Sequence, residues 1–213
     1  MTAMKATWAR FEKFLKEQGK TMVGLGFRPG MSEDEVSKVE IHIGVNFPED
    51  YRNFLLITNG QKDKTLDWLP DHMILFGVEE IEKAWDYELS IMPKVGEYIF
   101  NTYQFYDKIR AVIFHRDRIP IAEFEEGSCA IYLDYIPGPK GTNGQLIYNV
   151  TESDFIVLAN TFNELITNYV AFLESGDLVF TEMPKGQESK FAITTASGKS
   201  INGKVWLELL AKK

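Results

Sequence analysis

Met4, Trp8, Phe11 and Leu15 recur at spacings of four, three and four, with mostly charged residues between them. That period predicts an amphipathic helix, and Gly19 is a natural stop for it. Residues Gly24 to Gly30 are rich in turn formers and read as a loop. Ser32 followed by Glu35 predicts a capping box, in which each side chain satisfies a free backbone N–H, and Val36, Val39 and Ile43 give the apolar stripe of the helix it opens. Pro48 suits the first turn of a third helix. Tyr51, Phe54, Leu55 and Thr58 supply its inner face, and Asn59-Gly60 its left-handed close. Residues 61–71 read as a polar connection carrying one bulky residue, Trp68. His72 to Phe76 is short enough for a buried strand, and Val78 to Leu89 repeats a helical pattern through Ile81 and Trp85. Pro93 restarts the chain, and the aromatic stretch 95–108 reads as a further helix.

From Arg110 the period shortens. Residues 111–114, 119–124, 129–133, 145–150 and 155–159 are short β-branched or aromatic runs separated by charged or glycine-containing turns, the widest running from Pro137 to Gly144. Thr161 and Glu164 repeat the capping-box spacing ahead of a last apolar-faced helix that Gly176 ends. Helices first, an antiparallel meander in the middle and a closing helix make an α+β domain over residues 1–176. Residues 177–213 hold two strand candidates, 178–181 and 191–195, and a terminal helix around Val205, Trp206, Leu209 and Leu210. That segment is too short for a core of its own and is expected to pack on the main domain.

The charge is uneven. Lys and Arg number 23 against 31 Asp and Glu, a net of −8, and residues 1–175 carry −10 while 176–213 carry +2. An acidic surface repels phosphate backbones, which disfavours direct nucleic-acid binding, and it attracts basic proteins. No apolar run approaches the ~18 residues of a membrane span, and the first residues become charged before a signal-peptide core could form. A single cysteine, Cys129, excludes an internal disulfide and agrees with a reducing, cytoplasmic location.

The chemistry-bearing residues assemble no reaction centre. Gly127-Ser128-Cys129 lacks the second glycine of a nucleophile elbow, and Cys129 falls inside a strand, where a small buried hydrophobe is usual. His42, His72 and His115 share no ligand spacing, so no metal or cofactor is expected. In the 138–144 loop Lys140 precedes Gly141, the reverse of a phosphate-binding loop. The carboxylates Glu123, Glu125 and Glu126 flank a strand and read either as a solvated edge or as part of a docking face; as candidate partner contacts they are joined by Trp68.

Two stretches carry a family resemblance. The first runs from Ser32 through Glu35, Val36, Val39 and Ile43 to Phe47-Pro48-Glu49-Asp50-Tyr51-Arg52 and closes on Asn59-Gly60. The second is Leu133-Asp134-Tyr135-Ile136-Pro137-Gly138, then Gly144-Gln145-Leu146, then Asn160-Thr161-Phe162. In that order they resemble the SUKH superfamily, which includes the fungal Smi/Knr cell-wall-assembly regulators and many bacterial immunity proteins. Phe47 and Gln61 depart from the usual leucine and glycine, and the segment 84–110 is longer than typical. The resemblance implies a non-catalytic binding protein, an immunity protein that occludes a bacterial toxin or, alternatively, a regulatory module of the Smi/Knr type. Its motif residues Pro48, Tyr51, Asn59, Gly60, Asp134, Pro137, Gly138, Gly144 and Gln145 are those expected to specify the fold.

Overall fold

A computed structural model describes residues 2–95, 107–112, 114–124, 129–150 and 154–213. Helix α1 (Ala3–Glu17) buries the predicted stripe of Met4, Trp8, Phe11 and Leu15. A short strand β1 (Phe27–Pro29) follows where a loop was expected, paired antiparallel with β2 (Thr58–Gln61). Helix α2 (Glu33–Ile43) has the complete capping box: Glu35 N–H donates to Ser32 Oγ and Ser32 N–H to Glu35 Oε2. Helix α3 (Glu49–Leu55) starts one residue after Pro48, which takes the cap position with extended backbone.

Asn59-Gly60 does not close α3. That helix ends at Leu55, and the pair lies within β2. Gly60 has the expected left-handed backbone, φ +67°, but its use is tertiary: a Cβ there would stand 2.3 Å from the Phe76 carbonyl oxygen. Asn59 Oδ1 instead accepts the Val78 N–H at the start of helix α4 (Val78–Val95), 2.8 Å away. Thr58 likewise leaves the α3 face and donates to the Arg28 carbonyl at 2.7 Å.

The connection 61–71 is largely core. It holds strand β3 (Leu66–Asp67), and Gln61, Leu66, Trp68 and Leu69 are all buried. Helix α4 runs past the predicted end at Leu89 and carries Pro93 in its last turn. The predicted aromatic helix 95–108 falls almost wholly outside the described residues; Asp107 and Lys108 form a turn.

The centre is a five-stranded antiparallel sheet in the order β4 (Ile74–Leu75), β5 (Arg118–Phe124), β6 (Cys129–Asp134), β7 (Gln145–Val150), β8 (Asp154–Ala159). Alternation along β6 sends Ile131 and Leu133 to the main core and Ala130 and Tyr132 to a second apolar cluster on the opposite face. The predicted strand at 111–114 is absent among the described residues, because the carbonyls of Arg110 and Val112 are taken by the Arg118 guanidinium. Helix α5 (Phe162–Ser175) is capped by Thr161 Oγ1; Glu164 reaches the N–H of Asn160 at 2.8 Å rather than that of Thr161.

Beyond Gly176, β9 (Leu178–Glu182) and β10 (Phe191–Thr195) pair antiparallel, and β10 pairs parallel with β3. Helix α6 (Gly203–Leu210) brings Trp206, fully buried, onto Tyr169 and Phe172 of α5. The architecture is α+β, built around an antiparallel sheet. Among the described residues, no helix is long and apolar enough to cross a membrane.

Candidate partner-binding face

The strand–Asp–Pro-Gly–Gln stretch builds a buried polar clamp. Arg118, Asp134 and Gln145 sit opposite one another on β5, β6 and β7, each with no exposed surface. Arg118 Nε donates to Asp134 Oδ1 at 3.2 Å, and its terminal nitrogens reach the Val112 and Arg110 carbonyls. Gln145 Nε2 donates to Asp134 Oδ2 at 3.0 Å and to the Lys108 carbonyl at 2.8 Å. The Ile136 N–H reaches Asp134 Oδ1, and the Gly144 N–H reaches the Asp134 carbonyl. Pro137 bridges to Ile109, and Gly138 lets the loop approach so closely that a Cβ would lie 2.7 Å from the Asp107 carbonyl oxygen. The motif's polar atoms are therefore spent inside the protein, holding residues 107–112 against the 136–145 loop.

Farther along the same face, the chemistry becomes acidic. Tyr132 OH donates to Glu88 Oε1 at 2.8 Å, joining β6 to α4. Glu123, half-buried on β5, adds like charge near Glu88, and Arg118 lies 5.1 Å over the Phe155 ring. Asn149, buried at 4% exposure, leaves its Oδ1 without a hydrogen bond among the described residues. Burial pushes the Glu88 carboxyl up to about 8; Glu123 adds to the rise, while Tyr132 and Arg118 oppose it.

A carboxyl raised this way binds its proton more tightly folded than unfolded, so its contribution is full below about pH 4.5 and is lost as pH climbs towards 8. Glu88→Gln is therefore expected to flatten the fall of stability between those limits, where a single site can contribute a slope of at most ~1.4 kcal/mol per pH unit. Urea midpoints of both proteins across pH 5–9 check it; parallel curves would refute the assignment.

Of the predicted partner contacts, Glu123 is on this face, and Glu125 and Glu126 lie outside the described residues. Trp68 is corrected: it is 1% exposed, its ring packs on Phe11, Phe27 and Tyr169, and its Nε1–H donates to Gln61 Oε1 at 2.8 Å. Both it and Gln61 belong to the core. Tyr51 is likewise fully buried, ringed by Phe47, Phe54 and Phe162. Nothing in the sequence marks Glu88, because its Tyr132 partner comes from a distant strand. The three histidines are apart, each beside its own aspartate: His42 with Asp86, His72 with Asp67, His115 with Asp117. No group of three metal-binding side chains occurs among the described residues.

A family model described as SMI1 / KNR4 family (SUKH-1) matches residues 30–168. That span holds the α2–α3 entry, the whole five-stranded sheet, the clamp and the start of α5. Among curated proteins, F-box only protein 3 of mouse, cow and human is each 38% identical over 60 residues, or 28% of this chain. The match spans only 12 to 13% of the length of those relatives.

Proposed function

From the premise that this chain belongs to the SMI1 / KNR4 family (SUKH-1), we propose that it is a non-catalytic cytoplasmic binding protein whose acidic surface covers a basic partner. The partner is a bacterial toxin domain, and the protein acts as its immunity factor by occluding the active site one-to-one. The observation that carries the reading is the clamp. Arg118, Asp134 and Gln145 have no exposed surface and are engaged internally, so the most distinctive stretch of the chain offers scaffolding rather than a reaction centre. The acidic balance of −8 supplies the sign of surface that steers onto a basic cleft.

The likeness to a short stretch of F-box only protein 3 favours a second reading, in which the same domain serves as a regulatory module that binds cellular proteins. Co-expression separates the two. Where the neighbouring gene encodes a toxic C-terminal domain, the first reading expects co-expression to rescue growth and to give a one-to-one complex that weakens with salt. Reversal of Glu123, Glu125 and Glu126 to lysine is expected to weaken that complex by ~10-fold or more and to reduce its salt dependence. Cells that die despite full expression would sink the immunity role.

A further inference from the structure

We propose that the outer face of the central sheet, from β5 to β8, holds a binding site for a primary ammonium group, with the Asn149 side-chain oxygen and the Glu88 carboxylate as its acceptors. This assigns a ligand class to residues that the binding-protein reading leaves without one, and it does not depend on which partner that reading names.

Strand register puts the members together. Ala130 on β6 is the direct partner of Glu123 on β5 and of Asn149 on β7, and Asn149 is in turn the partner of Phe155 on β8. Residues directly opposite one another in a ladder share a face. Ala130 and Phe155 belong to the second apolar cluster, so Glu123 and Asn149 lie on that face too, on either side of its smallest side chain. Tyr132, two residues along β6 from Ala130, holds Glu88 Oε1 through its hydroxyl at 2.8 Å, and its ring lies 6.3 Å from Phe155.

A ligand is indicated by one orphaned atom and by the sign of the charge around it. Asn149 is 4% exposed, yet its Oδ1 has no hydrogen bond among the described residues, a state that folded proteins rarely leave standing. Glu88 spends Oε1 on Tyr132, and its Oε2 has no hydrogen bond among the described residues. Glu123 adds like charge beside Glu88, while Arg118 is paired with Asp134. An anion is repelled by both carboxylates. A water would satisfy Asn149 and leave the charge uncompensated. A primary ammonium carries three donors and a positive charge, so it serves Asn149 Oδ1 and Glu88 Oε2 at once. Ala130, Ile147, Phe155 and Val157 offer apolar surface to the attached carbon chain. Glu88 and Glu123 are half-buried whereas Tyr132 and Asn149 are buried, so the carboxylates stand at the entrance and the orphaned oxygen at the inner end. The ammonium belongs either to a free small amine or to a lysine side chain of another protein.

The test uses the full chain with methylammonium chloride as the probe. Isotope-resolved NMR is expected to show shifts at the Asn149 side-chain amide and the Ala130 backbone amide, with potassium chloride at equal ionic strength moving neither. Glu88→Gln keeps an acceptor for Tyr132 and removes the charge, and Asn149→Ala removes the inner oxygen. Each is expected to weaken the amine by ~10-fold or more, with an unchanged circular dichroism spectrum. Glu88→Gln carries the test alone if Asn149→Ala loses that spectrum. The amine takes the place of a proton on Glu88, which faces Tyr132, Glu123 and Arg118, so affinity is expected to rise as pH climbs towards about 8 in the native chain and not in Glu88→Gln. A second arm uses an N-terminally acetylated peptide with one lysine, and the same peptide with that lysine acetylated. Binding lost on lysine acetylation assigns the site to a protein side chain; methylammonium binding without peptide binding assigns it to a free amine. Equal shifts with potassium, native affinity in the variants, or no shift at all, which leaves Asn149 with a bound water only, would each overturn the proposal. No toxin enters the experiment, so its outcome is separate from that of the immunity reading.

Discussion

Asp134→Ala is expected to destabilise the fold by ~3–5 kcal/mol, because it removes the carboxylate paired with a guanidinium that has no exposed surface. The loss is more than one contact. Arg118 keeps its bonds to the Val112 and Arg110 carbonyls but loses the Asp134 carboxylate, Gln145 loses one acceptor, and the Ile136 N–H loses its own. Removing half of a buried pair is the costly change; removing both halves is not. Arg118→Met combined with Asp134→Leu is accordingly expected to recover part of the loss, since apolar groups of similar volume require no compensation. Guanidinium unfolding measures both, and a lowered midpoint at unchanged slope identifies a stability effect. A single-variant loss below ~1 kcal/mol would mean that the clamp is not holding residues 107–112 in place. Asp134→Asn adds a sharper distinction. If Asp134 served the partner directly, the complex would weaken at temperatures where the variant is fully folded; on the scaffolding reading, affinity there stays unchanged.

The local signals that survived are those whose physics is local. The α1 stripe, the Ser32–Glu35 box and the strands 119–124, 129–133, 145–150 and 155–159 all formed where periodicity and capping placed them, because each depends on neighbours within one turn or one pleat. The failures share a different cause. Gly60 has the left-handed backbone its sequence neighbourhood implies, but the close approach that requires it comes from Phe76, on another segment. Trp68 looked like a lone bulky residue in a polar stretch, yet its neighbours are Phe11 on α1 and Tyr169 on α5, and a buried Gln61 supplies its hydrogen bond. Residues 111–114 have the composition of a strand, but two of their neighbourhood's carbonyls serve Arg118 instead of a ladder. Of the candidate site, Glu123 was legible because acidic residues beside a strand are visible in one dimension. Glu88 was not, since a glutamate on a helix reads as solvated until β6 brings Tyr132 against it.

Trp206→Ala is expected to cost ~3–5 kcal/mol, the range for emptying a fully buried aromatic site. The ring lies 4.7 Å from Tyr169 and 5.7 Å from Phe172, and its Nε1–H donates to the Leu158 carbonyl at 3.0 Å. Strand β8 is an edge of the central sheet, so this bond occupies a carbonyl that would otherwise be open to pairing with another chain. Trp206→Phe separates the two contributions: it keeps most of the apolar ring and loses the N–H, and is expected to cost only ~1–3 kcal/mol. The terminal segment adds Leu178, Ile193, Ile201 and Leu209 to the same core, and β10 is the neighbour of β3. Ending the chain at Gly176 is therefore expected to remove more stability than either point variant and to yield a product that aggregates through β8. Thermal and guanidinium unfolding, read beside light scattering, decide the matter. If residues 1–176 alone unfold cooperatively at the midpoint of the full chain, residues 177–213 are a separable appendage and the edge-covering role of Trp206 fails with it.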